Sequence, residues 1–347
     1  MKLKKPLFYF FGFTGLLILS GLIFNLSLLN YGLSQLKGQL HVIINAQPIE
    51  KVLADPLFPD SLKNKLILIQ EINAFAMQHI GINPSNNYTS VYDQKGKPVL
   101  WVLTASDPYQ LKEYEWSFPF LGNVSYKGFF EYGRGEIELE KLKSEGYDAE
   151  LGAVGAWSTL GWFNDPILSN MLNRNEGDLA NLVIHELTHN TLFVKDDVDF
   201  NENLASFIGH QGALRFLVYK FGENSPQMQK YLESSTDEKV YNDYINKSAL
   251  RLDSLYMTMD NQQNHIKEEL KNNMLKEIIS QSESLELHNK QRYTELTKKI
   301  ENYKNAFFLS YIRYGAKQDD FEQELDMLFK NDLKAYLLHL KALYPSL

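Results

Sequence analysis

The stretch His185-Glu186-Leu187-Thr188-His189, followed by Asn201-Glu202-Asn203, decides the predicted fold and chemistry of this 347-residue chain. Residues four apart lie on one face of a helix, so His185 and His189 can point two imidazoles at one metal ion, with Glu186 beside them. The preceding run, residues 179–184, is apolar and predicts a buried helix that Asp178 could cap. The pattern H-E-x-x-H on such a helix is typical of zinc hydrolases.

A third protein ligand is needed, because catalytic zinc takes three protein ligands and keeps a fourth position for water. Glu202 begins the next predicted helix, and the polar turn at residues 195–197 would let the two helices run antiparallel. Other donors lie nearby and stay open as alternatives: Asp196, Asp197, Asp199 and His210. A compact site with a third histidine at position 195 is excluded, because Lys195 stands there.

The motif therefore predicts one Zn²⁺ per chain, held by His185, His189 and Glu202. Glu186 would act as the general base that takes the proton of the attacking water. The competing interpretation is that the two histidines are ordinary core residues with satisfied hydrogen bonds. Ser206 and Asn203 are candidates for the groups that orient the metal-bound histidines.

The N-terminus carries a second pattern. Residues 7–29 contain no charge and are long enough for a helix to cross a bilayer, and three lysines precede them. We therefore expect a transmembrane signal anchor through the bacterial cytoplasmic membrane, with the N-terminus inside and the catalytic domain on the periplasmic or extracytoplasmic side. A cleaved signal peptide is the alternative, although no clear cleavage site follows the apolar run.

Composition limits the remaining possibilities. The chain has no cysteine, which excludes both a disulfide framework and a lipidated N-terminal cysteine. Its formal net charge is −8, a poor match for nucleic-acid phosphates. We expect a peptide substrate, and a lipid bilayer at residues 7–29, as its partners. No pattern in the sequence identifies a protein partner.

The pattern along the chain predicts an α+β fold with a small mixed or antiparallel sheet and a mainly helical, zincin-like catalytic region. Helices are predicted at residues 31–44, 60–80 and 134–144, and a hairpin at residues 88–92 and 99–104. Short strands are expected within residues 115–126 and 149–159. The predicted division is an anchor at residues 1–29, a catalytic core at 30–224, and C-terminal helices at 225–347 that form either a hairpin packed on the core or a coiled coil for a partner.

Substrate-binding groups are harder to locate. Residues 155–166 combine glycines with Trp157 and Trp162 and could line an extended substrate, or could be ordinary core and turns. Candidates for the donor that stabilises the oxyanion are Tyr126, Tyr311 and Tyr314.

Several separated stretches resemble the bacterial predicted-aminopeptidase family of membrane-associated zinc metallopeptidases. They are residues 31–40, 101–105, 118–130 and 158–166, the metal motif, and Phe200-Asn201-Glu202. The resemblance implies the same roles for His185, Glu186, His189 and Glu202 as the motif does, with anchoring by the helix because leucine stands where many relatives carry a lipoprotein cysteine.

The resemblance also implies aminopeptidase activity, which requires a group that holds the free amine of the substrate. Asp165 and Glu150 are the candidates for that group. The alternatives are an anchored protein whose zinc is not catalytic, and a zinc-dependent endopeptidase or amidase. The intact Glu186 argues against a non-catalytic site, because a structural zinc has no use for a base.

Overall fold

The computed structural model describes residues 26–118, 122–154, 164–195, 197–314 and 318–344. Helices dominate this part of the chain and small sheets accompany them, which confirms the predicted α+β class. The helices are α1 (Leu26–Asn45), α2 (Ile49–Ala54), α3 (Asp60–Phe75), α4 (Tyr132–Ser144), α5 (Glu176–His189), α6 (Val198–Phe221), α7 (Pro226–Met257), α8 (Asn264–Ser282), α9 (Lys290–Lys298), α10 (Ile300–Tyr303), α11 (Asn305–Tyr314), α12 (Gln318–Phe329) and α13 (Leu333–Leu343). A π-helical turn, Ala76–Ile80, continues α3, and a 3₁₀ turn, Ser169–Asn173, precedes α5.

The predicted membrane segment overlaps α1 only at its end, and residues 7–25 lie outside the described residues. Within the described part, no helix is both long enough and apolar enough to cross a membrane. The reason is visible in α1, where polar side chains such as Gln35, Lys37 and Gln39 recur among the leucines. The prediction of a single-pass membrane protein is therefore wrong for the described part of the chain.

Within the described residues, the strands form three small sheets. They are β1 (Gln47–Pro48), β2 (Ser90–Tyr92), β3 (Trp101–Ser106), β4 (Trp116–Phe118), β5 (Gly122–Val124), β6 (Lys127–Phe129), β7 (Asp148–Ala153) and β8 (Ile167–Leu168). In the first sheet β2 pairs antiparallel with β1 and parallel with β8. In the second, β3 lies between β6 and β7, antiparallel to both, and β4 and β5 pair separately.

The predicted hairpin is wrong, since β2 and β3 belong to different sheets. Its turn does form, with Gly96 at φ +72°, but Val91 pairs with Gln47 and Ile167, and Leu103 pairs with Lys127 and Leu151. Strand β3 pairs with β7 over its whole length instead of with its sequence neighbour β2. Strand β2 pairs instead with β8, and β8 leads through the 3₁₀ turn into α5.

Three hydrophobic clusters organise the described chain. The first surrounds α3, α5 and α6 and also takes in Phe321, Tyr336 and Leu337 from α12 and α13. The second joins α7, α8, α9 and α11, and the third lies between α4 and the β3–β7 sheet. The last two helices thus return to the core that carries the metal motif. The division into core and C-terminal region at residue 224 stays a prediction.

Candidate metal centre

Helix α5 carries the motif and begins one turn earlier than its apolar run suggests. Asn175 caps it, because its side-chain oxygen accepts a hydrogen bond from the backbone N–H of Asp178 at 2.9 Å. The carboxylate of Asp178 accepts in turn from the Asn175 amide at 2.6 Å, so Asp178 supports the cap rather than forming it. Val183, Ile184 and Leu187 are fully buried on the core side. This burial fixes which way the histidines face.

Helix α6 brings Glu202 to the histidines. Asp197 caps it by accepting from the N–H of Phe200 at 3.0 Å. Asn201 closes the turn between the helices: its side chain accepts from the N–H of Val194 at 2.8 Å and donates to the Val194 carbonyl at 2.7 Å. Asn201 is almost completely buried. The asparagine before Glu202 therefore sets where α6 starts, and with it the position of the carboxylate.

Two glycines let the helices approach closely. A Cβ atom at Gly209 would lie 2.5 Å from Oδ1 of Asn181 and 3.1 Å from Cβ of His185. A Cβ at Gly212 would lie 2.9 Å from Cδ1 of Ile184. Any larger residue at Gly209 would push α6 away from the helix that carries the histidines. The close packing is thus part of the site.

His185, His189 and Glu202 form one cluster. The donor atoms of the three side chains all lie within 4.8 Å of one another. The two Nε2 atoms are 3.2 Å apart, and the Glu202 oxygens lie 3.6 Å from Nε2 of His185 and 3.7 Å from that of His189. Two imidazole nitrogens and a carboxylate oxygen directed to one point match the ligand preference of zinc. The donor set therefore fits the predicted metal.

The cluster is largely enclosed, which shapes its protonation. Burial and the nearby His185 together lower the pKa of His189 to about 4, and the charge of Glu202 opposes them only in part. Burial also disfavours a charged His185, but the carboxylates of Glu202 and Glu186 outweigh it and raise the pKa of His185. His189 is thus neutral at pH 7, the state in which imidazole binds a metal. Its buried Nδ1 has no hydrogen-bond partner among the described residues.

Glu186 lies beside the cluster without belonging to it. Burial raises the pKa of Glu186; Glu202 and Asp165 raise it further, while His185 and Arg174 act in the opposite direction. A carboxyl whose pKa is raised towards neutrality is a better general base than an ordinary glutamate. The raised pKa of Glu186 is therefore consistent with the predicted role of general base.

Asp165 was a sequence candidate for binding the substrate amine, and its charge does act on Glu186. The residue is only 1 % exposed, and its backbone N–H donates to Oδ1 of Asn87 at 3.0 Å. Glu150 lies elsewhere, on β7 opposite Thr104. Its charge acts on Tyr303 and Tyr311, both outside the metal cluster.

The candidates for the oxyanion donor and for the substrate-lining segment lie in several parts of the chain. Tyr126 is 44 % exposed near β6, and Tyr311 packs against Tyr241 and Phe307 in the second hydrophobic cluster. Trp157, Trp162 and the side chain of Tyr314 lie outside the described residues, as does Asp196. Tyr311 thus belongs to a different hydrophobic cluster from the one that surrounds α5 and α6.

The remaining neighbours of the motif have structural contacts. His210 pairs through Nδ1 with the hydroxyl of Tyr231 at 2.9 Å, so it is occupied away from the cluster. The side-chain amide of Asn203 donates to the Asp199 carbonyl at 2.8 Å. The role predicted for Asn203 and Ser206 in orienting the histidines stays a prediction.

Sequence analysis missed two residues whose positions bear on Glu186. Arg174, at the end of the 3₁₀ turn, supplies the positive charge that opposes the rise in its pKa. Tyr88, directly before β2, is 3 % exposed and feels the charge of Glu186. Arg174 lies two residues before α5 begins, whereas Tyr88 is distant in sequence and its N–H meets the Asp165 carbonyl where β2 pairs with β8.

Comparison with known proteins gives one result. The model of a protein family described as "Putative aminopeptidase" matches residues 30–345, almost the whole chain. No curated protein and no solved structure matches.

Proposed function

The chain belongs to the putative aminopeptidase family, and we propose that it is a zinc peptidase whose metal is held by His185, His189 and Glu202. Membership in the family supports peptide hydrolysis as the reaction. The observation that carries the metal assignment is the convergence of two imidazoles and one carboxylate within 4.8 Å. Glu186, on the same helix and outside that set, is the proposed general base.

The chemistry divides between the metal and the chain. A zinc ion in this site would lower the pKa of a bound water to about 7 and polarise the carbonyl of the scissile peptide. Glu186 accepts the proton that the water loses as it attacks the carbonyl carbon, and later donates it to the leaving amine. Enclosure of the cluster by the α5–α6 core strengthens each of these electrostatic interactions.

The decisive experiment compares Glu186→Gln with the wild type after reconstitution with zinc. We expect both proteins to bind one zinc per chain by inductively coupled plasma analysis. The variant should hydrolyse peptides at least about 10²-fold more slowly, as expected when a general base is removed. Glu176→Gln is a matched control on the same helix, since Glu176 pairs with Lys65 at 2.6 Å and has no role in the site.

Substrates for this experiment should be paired peptides with a free and an acetylated N-terminus, read out by mass spectrometry. An aminopeptidase removes the first residue of the free peptide and leaves the acetylated one intact. Cleavage of both at internal bonds would replace the aminopeptidase proposal with an endopeptidase. Loss of zinc in Glu186→Gln would instead place Glu186 among the ligands, and a wild type that binds no zinc would remove the proposal.

A further inference from the structure

Helix α1 carries a heptad pattern of large aliphatic side chains. In a heptad lettered a to g that starts at residue 26, every a and d position of the helix holds leucine or isoleucine. These residues are Leu26, Leu29, Leu33, Leu36, Leu40 and Ile43. Alternating spacings of three and four residues place them along one narrow row, the pattern by which two helices pack against each other. We call this row the leucine stripe.

Most of the leucine stripe is exposed to solvent. Leu26 and Leu33 are 58 % exposed and Leu36 is 53 % exposed, while Leu29 and Leu40 are exposed to a lesser degree. Single exposed leucines are ordinary on a protein surface. A continuous row of them on one helix face instead marks a surface that binds a partner.

The opposite face of α1 holds the helix on the rest of the chain. The hydroxyl of Tyr31 and the side-chain amide of Gln35 both donate to the carbonyl of Gly128 at 2.9 Å. Gly38 lets α1 approach closely, since a Cβ atom at this position would collide with the ring of Phe130. These α1 residues stand at c and f positions, away from a and d. A partner can therefore cover the leucine stripe without displacing these contacts.

The residues beside the leucine stripe favour a pair of helices over a larger bundle. The e and g positions next to the central leucines hold Asn30, Gly32, Lys37 and Gln39. A third or fourth helix would bury these mostly polar positions, whereas a pair buries mainly a and d. A bilayer surface fits less well, because a lipid-binding helix has a strongly basic polar face, and Lys37 is the only lysine or arginine of α1.

Charge allows the second helix to be α1 of another copy. In a parallel pair an e residue faces a g residue, so Lys37 would meet Gly32 of the second copy. In an antiparallel pair that seats Leu33 on Leu36, e residues face each other. Lys37 would then meet Asn30 of the second copy. Neither arrangement brings like charges together.

The groove beside α1 also suits a second copy, because it carries charges of both signs. It is lined by four lysines and three acids: Lys37, Lys51, Lys95, Lys97, Asp55, Asp93 and Glu131. When a two-fold axis relates two copies, each presents the same patch to the other. Only a patch with both signs of charge can then be complementary to itself.

Helix α1 is ordered within a single copy of the chain. A helix of 20 residues that stands alone loses much of its pairing energy to the entropy of becoming ordered. Here the contacts of Tyr31, Gln35 and Gly38 already hold α1 in place. Association of two such helices therefore carries less of this entropic cost.

We propose that the leucine stripe is a dimerisation surface, at which α1 packs against α1 of a second copy of this chain as a two-helix coiled coil. Such a dimer leaves the proposed metal centre on α5 and α6 outside the contact between the two α1 helices.

Sedimentation velocity of the full chain over a range of concentrations measures the association. We expect a dimer for the wild type and for the control Leu250→Glu/Met327→Glu, whose exposed side chains lie on α7 and α12. Leu33→Glu/Leu36→Glu should raise the dimer Kd by at least about 10²-fold, because like charges then face each other at the centre of the stripe. Circular dichroism should show the same helix content in all three proteins, since the changed side chains are exposed.

Introduced thiols test which residues meet, because the chain has no cysteine of its own. Under mild oxidation, Leu36→Cys should form a disulfide between copies if the helices are parallel. If they are antiparallel, an equal mixture of Leu33→Cys and Leu36→Cys should do so. Either reaction should be at least about 10-fold faster than that of Leu250→Cys, because pairing raises the effective concentration of facing thiols towards the mM range.

A wild type that stays monomeric at every concentration would overturn the proposal. A dimer that survives Leu33→Glu/Leu36→Glu would also overturn it, since the contact would then lie elsewhere, for example in the uncharged run at residues 7–25. A monomeric wild type that binds vesicles of phosphatidylglycerol, with binding lost in Leu33→Glu/Leu36→Glu, would assign the stripe to a lipid surface instead. None of these outcomes changes the proposed function.

Discussion

Two buried polar sites in this molecule solve the problem of buried charge in opposite ways. At the first, Lys271 is fully buried and its ammonium donates to Oδ2 of Asp148 at 2.5 Å and to the Pro108 carbonyl at 2.8 Å. The same Asp148 oxygen accepts from the N–H of Asn305 at 3.0 Å. At this site the chain itself provides the positive group, the negative group and the hydrogen bonds that both of them make.

At the second site, His185, His189 and Glu202 present groups that all bind a cation through lone pairs. Arg174 supplies a positive charge that acts on the neighbouring Glu186. The difference teaches what each site is for. The Lys271–Asp148 pair ties α8 to the β3–β7 sheet, whereas the cluster on α5 and α6 has the form of a site that an external cation completes.

Breaking the complete site should have the largest effect on stability. Lys271→Met leaves the Asp148 carboxylate buried without its partner, and removing one member of a buried pair costs about 3–5 kcal/mol. We expect the free energy of unfolding, measured by urea titration, to fall by this amount. The double variant Lys271→Met/Asp148→Asn should recover part of the loss. A change below about 1 kcal/mol in the single variant would mean that the pair is not a structural tie.

Changing the proposed metal site should weaken zinc binding rather than lower the stability of the apoprotein. Glu202→Ala should weaken zinc binding by at least about 10²-fold, since even residues that only orient ligands cost 10- to 100-fold. In the presence of a chelator, its unfolding free energy should not fall below that of the wild type, because a buried acceptor has been removed. His210→Ala is the matched control on the same helix. Equal zinc loss in both variants, measured by competition with a chromogenic chelator, would show that the ligand set is wrong.

Glu150 is a partly buried carboxyl, and changing it should give the smallest effect. Burial raises its pKa to about 7, and Lys299 only partly opposes this. A carboxyl with a raised folded-state pKa favours the folded state at low pH, and that advantage is lost as the pH rises from about 4.5 through 7. Glu150→Gln should therefore be more stable than the wild type at pH 8, with the difference vanishing near pH 4.

The expected difference for Glu150→Gln at pH 8 is about 1 kcal/mol, less than 1.36 kcal/mol per pKa unit would give, because solvent still reaches the side chain. Thermal unfolding at both pH values measures it. A variant that is less stable than the wild type at pH 8 would show that Glu150 has a favourable charged partner in the fold.

Local patterns in the sequence predicted the positions of helices and strands better than they predicted which strands pair. Helix α5 and the small-sheet α+β class follow from periodicity, and the spacing of His185 and His189 follows from the helix itself. The cap was misjudged by one turn, since Asn175 and not Asp178 starts α5. The hairpin was wrong because β3 finds a longer partner in β7 than in its sequence neighbour β2. The membrane prediction concerned residues that are mainly outside the described chain, and the polar residues of α1 argue against it within that chain.

The sequence by itself determined the proposed ligands and base, because residues four apart on one helix meet regardless of the rest of the chain, and a short turn brings Glu202 back to them. The tertiary structure decided everything that joins distant segments. Lys271 meets Asp148 across 123 positions of sequence, and the N–H of Tyr88 meets the carbonyl of Asp165 where β2 pairs with β8. The physical reason is that helical periodicity is set by local backbone geometry, whereas a long-range contact depends on the whole packed core between its two residues.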